Sequence, residues 1–288
     1  MVTGASGFLG SRFCEVAKED FEIRPVSLQN KKVENVDFSG VDAVLHLAGI
    51  AHRMKTTEPD LYESVNSELT YRIAREAKKQ GVKHFIFVST IKVYGADSTD
   101  RPIGLDTACN PQDDYGKSKF NGEQHIRKLE SPAFRVAILR PPLIYGPGVK
   151  GNLIALMKLT EKLTVLPFAR ISNARTMVSL QNMVDYMRHV INSEYSGVIL
   201  PADKRSLSTT ELVELIASHF NKKTRLVSVP YLFRKIAEWI LPGYYHRLFS
   251  DLEIDAADSN SRLGFEPVGT IEEGIAEMVN AYQSNRQP

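Results

Sequence analysis

The glycine spacing at the start of the chain constrains its fold more than any other feature. Residues 3–10 read TGASGFLG, with glycine at positions 4, 7 and 10. In a strand–loop–helix unit, Gly4 would permit the tight turn, Gly7 would let the backbone approach a pyrophosphate, and Gly10 would allow close helix packing. The helix start would add amide donors and a positive dipole end. The loop predicts a dinucleotide site, and an ordinary glycine-rich turn remains the alternative on this motif alone.

The strand that should precede this loop is short. Only Met1, Val2 and Thr3 are available to it, whereas a strand normally has about five or six residues. Either the protein starts upstream of Met1, or a central strand is truncated and the fold is weakened. We favour missing upstream residues.

The order of predicted elements indicates the fold class. Strand patterns alternate with helical patterns through the first half, which is typical of an α/β fold with a doubly wound parallel sheet of the Rossmann type. The predicted strands are residues 21–28, 41–47, 84–89 and 134–139, and the predicted helices are residues 61–80 and 115–129.

The second half is mostly helical in pattern. Helices are predicted over residues 152–163, 182–192, 209–220, 232–241 and 270–282, and the run at 197–200 can return a strand to the main sheet. We predict an NAD(P)-binding domain over residues 1–150 with a returning segment near 178–200. A smaller substrate lobe would comprise residues 151–177 and 201–288, and the cleft between the two is the expected ligand site.

Composition excludes several classes of function. The 288 residues carry 36 Lys and Arg against 34 Asp and Glu, so we expect neither a nucleic-acid nor a membrane partner. The two cysteines, Cys14 and Cys109, cannot form a disulfide framework, which favours a reducing, cytoplasmic setting. We expect no transmembrane helix, since no apolar run approaches 18 residues. We expect no signal peptide, since the N-terminus has no basic region followed by an apolar stretch. The dispersed histidines give no support for a metal site.

A tyrosine and a lysine supply the candidate acid–base chemistry. Tyr115 and Lys119 form a YxxxK pattern at the start of a predicted helix, where the spacing places both side chains on one face. An ammonium near a phenol favours the phenolate, so we expect a lowered pKa for Tyr115. Thr90 directly follows a predicted strand, at the edge of the sheet where ligands bind.

Several motifs together resemble one family. They are TGASGFLG, HLAG at 46–49, STIKVYG at 89–95, YGKSK at 115–119 and RPPLIYGPG at 140–148, with SRLGFEP at 261–267 near the C-terminus. In this order they resemble the extended short-chain dehydrogenase/reductases, the NAD-dependent epimerase/dehydratase group, which acts mainly on nucleotide sugars. The resemblance covers nearly the whole chain.

The resemblance implies roles for individual residues. Tyr115 matches the catalytic tyrosine of the family. Lys119 matches the lysine partner of that tyrosine, which also binds the nicotinamide ribose. Thr90 matches the residue that hydrogen-bonds the reacting oxygen. The implied cofactor site comprises Gly4, Ser6, Gly7, Phe8, Leu9, Gly10, Ser27, Asp37, Leu47, Ala48, Gly49, Asn66, Ser89, Tyr115, Lys119 and Pro142.

The choice between NAD and NADP stays open at this point, although we favour NAD. The second predicted strand ends in Val26, Ser27 and Leu28, without the acid that binds the ribose hydroxyl in NAD enzymes. Ser27 can bond either a hydroxyl or a 2′-phosphate, and Lys31 and Lys32 can add charge.

Substrate contacts are implied more loosely. With Thr90, the residues that resemble a UDP-sugar site are Asn152, Leu153, Phe168, Arg175 and Arg247. Asn152 and Leu153 would stand at a helix start that suits an anion, the arginines would pair with the diphosphate, and Phe168 would stack on a uracil. Surface ion pairs or a core aromatic are the alternatives. The resemblance also implies a homodimer through the helices at 61–80 and 115–129.

The residues after Thr90 narrow the reaction. The 4,6-dehydratases of the family carry Asp-Glu there, and this chain has Ile91 and Lys92, which disfavours dehydration. We favour a UDP-hexose 4-epimerase. The alternative is a UDP-4-keto-sugar reductase of surface-polysaccharide biosynthesis. Two further classes remain open, a reductase of non-nucleotide ketones and a cofactor sensor without turnover.

Overall fold

The computed structural model describes residues 1–29, 32–51, 59–95, 98–220, 223–230, 235, 238 and 242–285. Its main element is a six-stranded parallel sheet in the order β2-β1-β3-β4-β5-β9. These strands are β1 Val2–Thr3, β2 Pro25–Val26, β3 Ala43–His46, β4 His84–Val88, β5 Arg135–Leu139 and β9 Gly197–Ile199. The predicted α/β fold with a doubly wound parallel sheet is confirmed.

The helices in chain order are α1 Phe8–Val16, α2 Pro59–Glu63, α3 Leu69–Lys79, α4 Asp114–Arg127, α5 Asn152–Lys162, α6 Leu180–Asn192, α7 Thr209–Ser218, α8 Pro242–Phe249, α9 Ala257–Leu263 and α10 Ile271–Ser284. A π-helical turn, Ser64–Glu68, joins α2 to α3. The single helix predicted over residues 61–80 is therefore interrupted around Asn66. Most of the helix predicted over 232–241 lies outside the described residues.

Side chains of β4 alternate between two cores. Ile86 packs with Phe13 of α1 and Met183 of α6 on one face of the sheet. Phe85 and Phe87 pack with Ile73 of α3 and with α4 on the other. Because both faces are covered, every residue of β4 is buried, which explains why its sequence is almost wholly apolar.

The second strand is shorter than the sequence pattern predicts. The pattern spans residues 21–28, but only Pro25 and Val26 form β2. Proline cannot donate a ladder hydrogen bond, so it is tolerated at the edge of a sheet. That is where β2 lies, beside the two-residue β1.

A separate core forms in the C-terminal part of the chain. Two small parallel pairs lie there, β6 Leu143–Tyr145 with β8 Met177–Ser179, and β7 Val165–Leu166 with β10 Arg225–Leu226. Helices α5, α7 and α10 pack around Tyr145, Met157, Ile216 and Ile275. The buried carboxylate of Asp203 accepts a hydrogen bond of 2.7 Å from the Tyr145 hydroxyl.

Candidate active site

The N-terminus of α4 presents the tyrosine and lysine pair. Asp113 caps this helix, accepting a hydrogen bond of 2.6 Å from the Gly116 amide. Tyr115 is partly buried, Lys119 one turn later is buried, and Ser118 beside Lys119 is buried as well. The pair faces the carboxyl edge of the main sheet, because the Lys119 Nζ donates a bond of 2.9 Å to the carbonyl of Val88 at the end of β4.

Thr90 completes a compact group with the tyrosine. It follows β4 immediately, is 8% exposed, and its hydroxyl is hydrogen-bonded to the Tyr115 phenol. The ring of Tyr62 packs edge-on against Tyr115, with ring centres 6.2 Å apart. The sequence motifs around Thr90, Tyr115 and Lys119 therefore meet at one place in the fold.

The pKa of Tyr115 is shifted in the direction opposite to our expectation. The pKa of Tyr115 is raised to about 12, mainly by burial and to a smaller extent by Asp113 and Tyr62, while the hydrogen bond with Thr90 opposes the rise. Lys119 does not lower it. Its ammonium is directed at the Val88 carbonyl and stands 4.6 Å from the centre of the Phe87 ring. The expected lowering was wrong because burial disfavours the charged phenolate and the ammonium is bonded to the Val88 carbonyl instead.

The glycine loop forms a cradle with no space for side chains. Gly4 has φ of +70°, and a Cβ there would lie 2.7 Å from the Ala48 amide nitrogen. A Cβ at Gly10 would overlap the Gly4 carbonyl, while Gly7 forms the N-cap of α1 with no side-chain bond to the first-turn amides. Those amides are therefore available to an anion, as the roles predicted for the three glycines require.

The π-helical turn brings Asn66 under the loop that follows β3. The Asn66 amide donates to the Ile50 carbonyl (3.0 Å) and to the Ser118 hydroxyl (3.1 Å), while its oxygen accepts from the Ile50 amide (2.9 Å). A Cβ at Gly49 would lie 2.9 Å from the Asn66 oxygen and 3.2 Å from the Lys119 Nζ. Asn66 thus fixes the loop that follows β3 against α4.

The remaining predicted cofactor residues differ in placement. Ser6, Phe8 and Leu9 belong to the glycine loop and the start of α1, and Pro142 is buried after β5. The Ser89 hydroxyl is buried beside Thr90 and has no hydrogen-bond partner within the described ranges. Ser27 and Asp37 are exposed, at the end of β2 and in the loop before β3, and Lys31 lies outside the described residues.

The predicted substrate residues are less clearly assembled. Asn152 is exposed as the first residue of α5, and Leu153 is buried in the C-terminal core. Phe168 is 6% exposed and packs among Leu166, Ile171 and Val213, which matches the core-aromatic alternative.

Arg175 reaches the end of the helix that carries Arg247. Its guanidinium donates to the carbonyls of His246 (3.2 Å) and Ser250 (2.9 Å). These carbonyls belong to the last turn of α8, where a cation is favourable. Arg247 lies in α8, but its side chain is outside the described part of the chain.

Sequence reasoning missed a buried ion pair behind Lys119. Arg140 follows β5 and binds Glu123 of α4, with Nε 3.0 Å from Oε1 and Nη2 2.5 Å from Oε2. The available signal was spacing, since residues 115, 119 and 123 recur every four positions along one helix face. In the sequence, Arg140 stands out only as the first residue of the motif RPPLIYGPG.

Two cavities lie in the C-terminal part of the chain. One of about 650 Å³ is lined by residues 170–174, 206–208, 210 and 211, and one of about 800 Å³ by residues 169, 170, 210, 214, 217, 218 and 224–226. Neither is lined by Thr90, Tyr115 or Lys119. In the described ranges, no cluster of acidic, histidine or cysteine side chains suits a metal ion.

Comparison with known proteins identifies the family. A sequence model of the NAD-dependent epimerase/dehydratase family matches residues 1–199. The chain belongs to this family.

Among its relatives, a UDP-glucose 4-epimerase of Vibrio cholerae is 32% identical, with 100% of this chain and 96% of the relative covered. An N-acetyl-alpha-D-glucosaminyl-diphospho-ditrans,octacis-undecaprenol 4-epimerase of Escherichia coli O157:H7 is 28% identical over 80% of this chain and 75% of the relative. The crystal structure of UDP-glucuronic acid 4-epimerase from Bacillus cereus in complex with NAD superposes with a TM-score of 0.77, at 17% identity and 99% coverage of both chains. This likeness at low identity shows that the fold is shared.

Proposed function

We propose that this family member is an NAD-dependent UDP-hexose 4-epimerase. The observation that carries the proposal is the assembly of Thr90, Tyr115 and Lys119 at the carboxyl end of β4, beside a glycine cradle. The 32% identical Vibrio cholerae relative, a UDP-glucose 4-epimerase that matches along the whole chain, supports the choice of reaction.

The residues present fit a dinucleotide. At Gly4 and Gly10 the absence of side chains lets a ligand approach the backbone closely, and the amides at the start of α1 would bind a pyrophosphate. The orphaned Ser89 hydroxyl and the buried Lys119 ammonium supply polar groups further along the same edge. When bound there, NAD supplies a reversible hydride acceptor for the C4 carbon of the sugar.

The protein's own groups handle the proton. Tyr115 takes the proton of the C4 hydroxyl as the C4–H bond breaks, and returns it when the opposite epimer forms. Thr90 donates a hydrogen bond to the same oxygen, and it holds Tyr115 in position through their mutual bond. Because the pKa of Tyr115 is about 12 in the protein alone, positive charge near the phenol is needed to make it a base at neutral pH. Lys119 would supply that charge once its ammonium turns from the Val88 carbonyl towards the phenol.

The substrate diphosphate would lie between α5 and α8. Asn152 at the start of α5 offers backbone amides and its side chain, and Arg175 and Arg247 offer guanidinium groups that suit a diphosphate. Support comes from the contact of Arg175 with the last turn of the helix that carries Arg247. Ile91 and Lys92 carry no carboxylate, which counts against a 4,6-dehydratase.

We further propose a cytoplasmic homodimer that pairs helices α3 and α4 with their copies. Support for a reducing compartment comes from the cysteines, which are both unbridged. Within the part of the chain that the structure describes, none of the helices has the length and hydrophobicity to cross a bilayer.

The homodimer is tested by light scattering of the purified protein, which reports its mass. A monomer at micromolar concentration would contradict the dimer.

The deciding experiment follows the sugar by NMR. Purified protein is incubated with UDP-glucose and with UDP-GlcNAc, with and without added NAD, and the C4 epimer should form without net change in the cofactor. Tyr115→Phe should lose at least about 100-fold in rate. Tyr195→Phe, a tyrosine at the opposite end of the sheet before β9, is the matched control and should keep its activity.

Other outcomes would redirect the assignment. Oxidation of NADH or NADPH on addition of a UDP-4-keto sugar, with no epimer in the first assay, would make the protein a reductase. If the protein epimerises only N-acetylglucosamine carried on a polyprenyl diphosphate, its substrate would be like that in the name of the Escherichia coli relative.

A further inference from the structure

The ion pair of Glu123 and Arg140 is buried directly behind the catalytic helix. The Glu123 side chain is fully buried and that of Arg140 is 5% exposed. The Arg140 Nη1 also donates a hydrogen bond of 2.7 Å to the Tyr94 hydroxyl. The guanidinium carbon lies 4.9 Å from the centre of the Tyr94 ring. Two charges buried together cost several kcal/mol each in lost hydration, so the position of this pair calls for an explanation beyond stability.

The pair lies next to a second buried charge. Glu123 is one helical turn beyond Lys119 and two beyond Tyr115, on the same face of α4. Lys119 is 5% exposed, and its ammonium has the Val88 carbonyl and the Phe87 ring as neighbours. No carboxylate of the described residues lies within salt-bridge distance of it. Lys119 is therefore held away from water with few groups that stabilise its charge.

The groups around Lys119 leave Glu123 as its counter-charge. Tyr115 and Glu123 face it from α4 itself, and His46 faces it from the end of β3. His46 is neutral, because burial and the charge of Lys119 lower its pKa to about 3. Arg140 and Tyr94 lie on the far side of Glu123, from the segments after β5 and β4. Of these groups only Glu123 brings negative charge to the ammonium at neutral pH.

We propose that Glu123, clamped by Arg140, is a positioning residue of the active site: its buried carboxylate keeps Lys119 charged beside Tyr115. Arg140 holds the carboxylate at a fixed place through its hydrogen bonds from Nε and Nη2. Burial lowers the pKa of Lys119 to about 8, and the charge of Glu123 is what opposes that fall. The pKa of the ammonium therefore lies close to neutral pH, and the charge of Glu123 decides whether it keeps its proton.

The experiment measures the protonation of Lys119 directly. In protein labelled with ¹³C-lysine, the Cε resonance of Lys119, assigned by its loss in Lys119→Arg, is followed from pH 6 to pH 11. The native protein should show a midpoint near 8. Glu123→Gln should lower that midpoint by about one pH unit or more, because a nearby opposite charge is removed.

Two further variants separate charge from folding. Glu123→Gln leaves Arg140 buried without its partner, so it is paired with Glu123→Gln/Arg140→Gln, which buries two amides and no charge. Both should lower the Lys119 midpoint. Tyr94→Phe removes one hydrogen bond of Arg140 and no charge, and should leave the midpoint unchanged.

Several results would overturn the proposal. One is a folded Glu123→Gln or double variant with the native Lys119 midpoint, which would make the ion pair purely structural. Another is a native midpoint below about 7, which would show that Lys119 is not kept charged at neutral pH despite the presence of Glu123. The second result requires no variant to fold.

The catalytic consequence rests on the proposed function, whereas the titration of Lys119 does not. If the epimerase assignment holds, the pH at which kcat falls on its alkaline side should move down in the Glu123 variants by the same amount as the Lys119 midpoint. A purely structural role would lower kcat equally at every pH. If no epimerase activity is found, the NMR titration still tests the role of Glu123.

Discussion

Gly4 and Arg175 show how differently the two parts of the molecule hold their functional groups. At Gly4 the backbone itself forms the surface, and an added Cβ would stand 2.7 Å from a neighbouring amide nitrogen. Arg175 instead reaches its partners, the carbonyls that end α8, through a long side chain. The sheet edge is therefore defined by main-chain atoms and the C-terminal part by side chains that can rearrange.

The difference follows from what each region has to recognise. A cofactor site shared by a family can be built from backbone amides and tightly packed glycines, which tolerate little variation. The proposed substrate site must distinguish one sugar nucleotide from another, and side chains on α5 and α8 would allow this without disturbing the sheet. We expect substitutions at the sheet edge to act on folding and cofactor, and those in the C-terminal part to act on substrate.

The largest effect should come from filling the glycine cradle. Gly4→Ala forces a side chain into a left-handed backbone with no space, which should cost about 2–5 kcal/mol of unfolding free energy and most of the affinity for NAD. Gly40→Ala is the matched control, because Gly40 has φ of +68° but open surroundings. Urea unfolding and calorimetric titration with NAD would report both. Equal effects of the two substitutions would show that the close approach at Gly4 is unimportant.

A smaller effect, of opposite sign, should follow removal of the buried ammonium. Lys119→Met should abolish activity and yet stabilise the protein at pH 7 by on the order of 2 kcal/mol, because the native state no longer buries a charge. Burial lowers the pKa of Lys119 from 10.5 to about 8, so the unfolded chain binds more protons between these values. Native stability therefore rises with pH across this window, and the advantage of the variant should shrink there.

Urea unfolding at pH 7 and at pH 9.5 measures this difference. Lys158→Met, on the exposed face of α5, is the control in the other region and should change stability by less than about 0.5 kcal/mol at either pH. If Lys119→Met were destabilising at both pH values, the ammonium would be well compensated in the native protein.

The smallest effect should be seen at Arg175. Arg175→Gln should raise KM for the UDP-sugar roughly tenfold, about 1.4 kcal/mol, with kcat nearly unchanged, since a diphosphate contact acts equally on bound substrate and transition state. Arg262→Gln removes an exposed arginine paired with Asp258 and should leave KM unchanged. An Arg175 variant with lowered stability and native KM would show that the guanidinium only holds α8.

Prediction from the sequence succeeded where spacing along the chain carried the information. The alternation of elements indicated the parallel sheet, and the glycine spacing indicated the turn at Gly4. It failed for the boundaries of β2, because a strand ends where its neighbours stop pairing. It failed as well for the interruption of the helix around Asn66. It also failed for the pKa of Tyr115, whose direction depends on how deeply the ring is buried.

The sequence by itself determined the fold class and the family, and it singled out Thr90, Tyr115 and Lys119 as the candidates for catalysis. Each of these is encoded in local spacing that any packing of the chain preserves. The tertiary structure alone decided that Glu123 and Arg140 pair behind Lys119, and that Arg175 contacts the end of α8. These contacts join segments 17 and about 75 residues apart. Their energies depend on burial and distance in space, and neither quantity is carried by the order of residues along the chain.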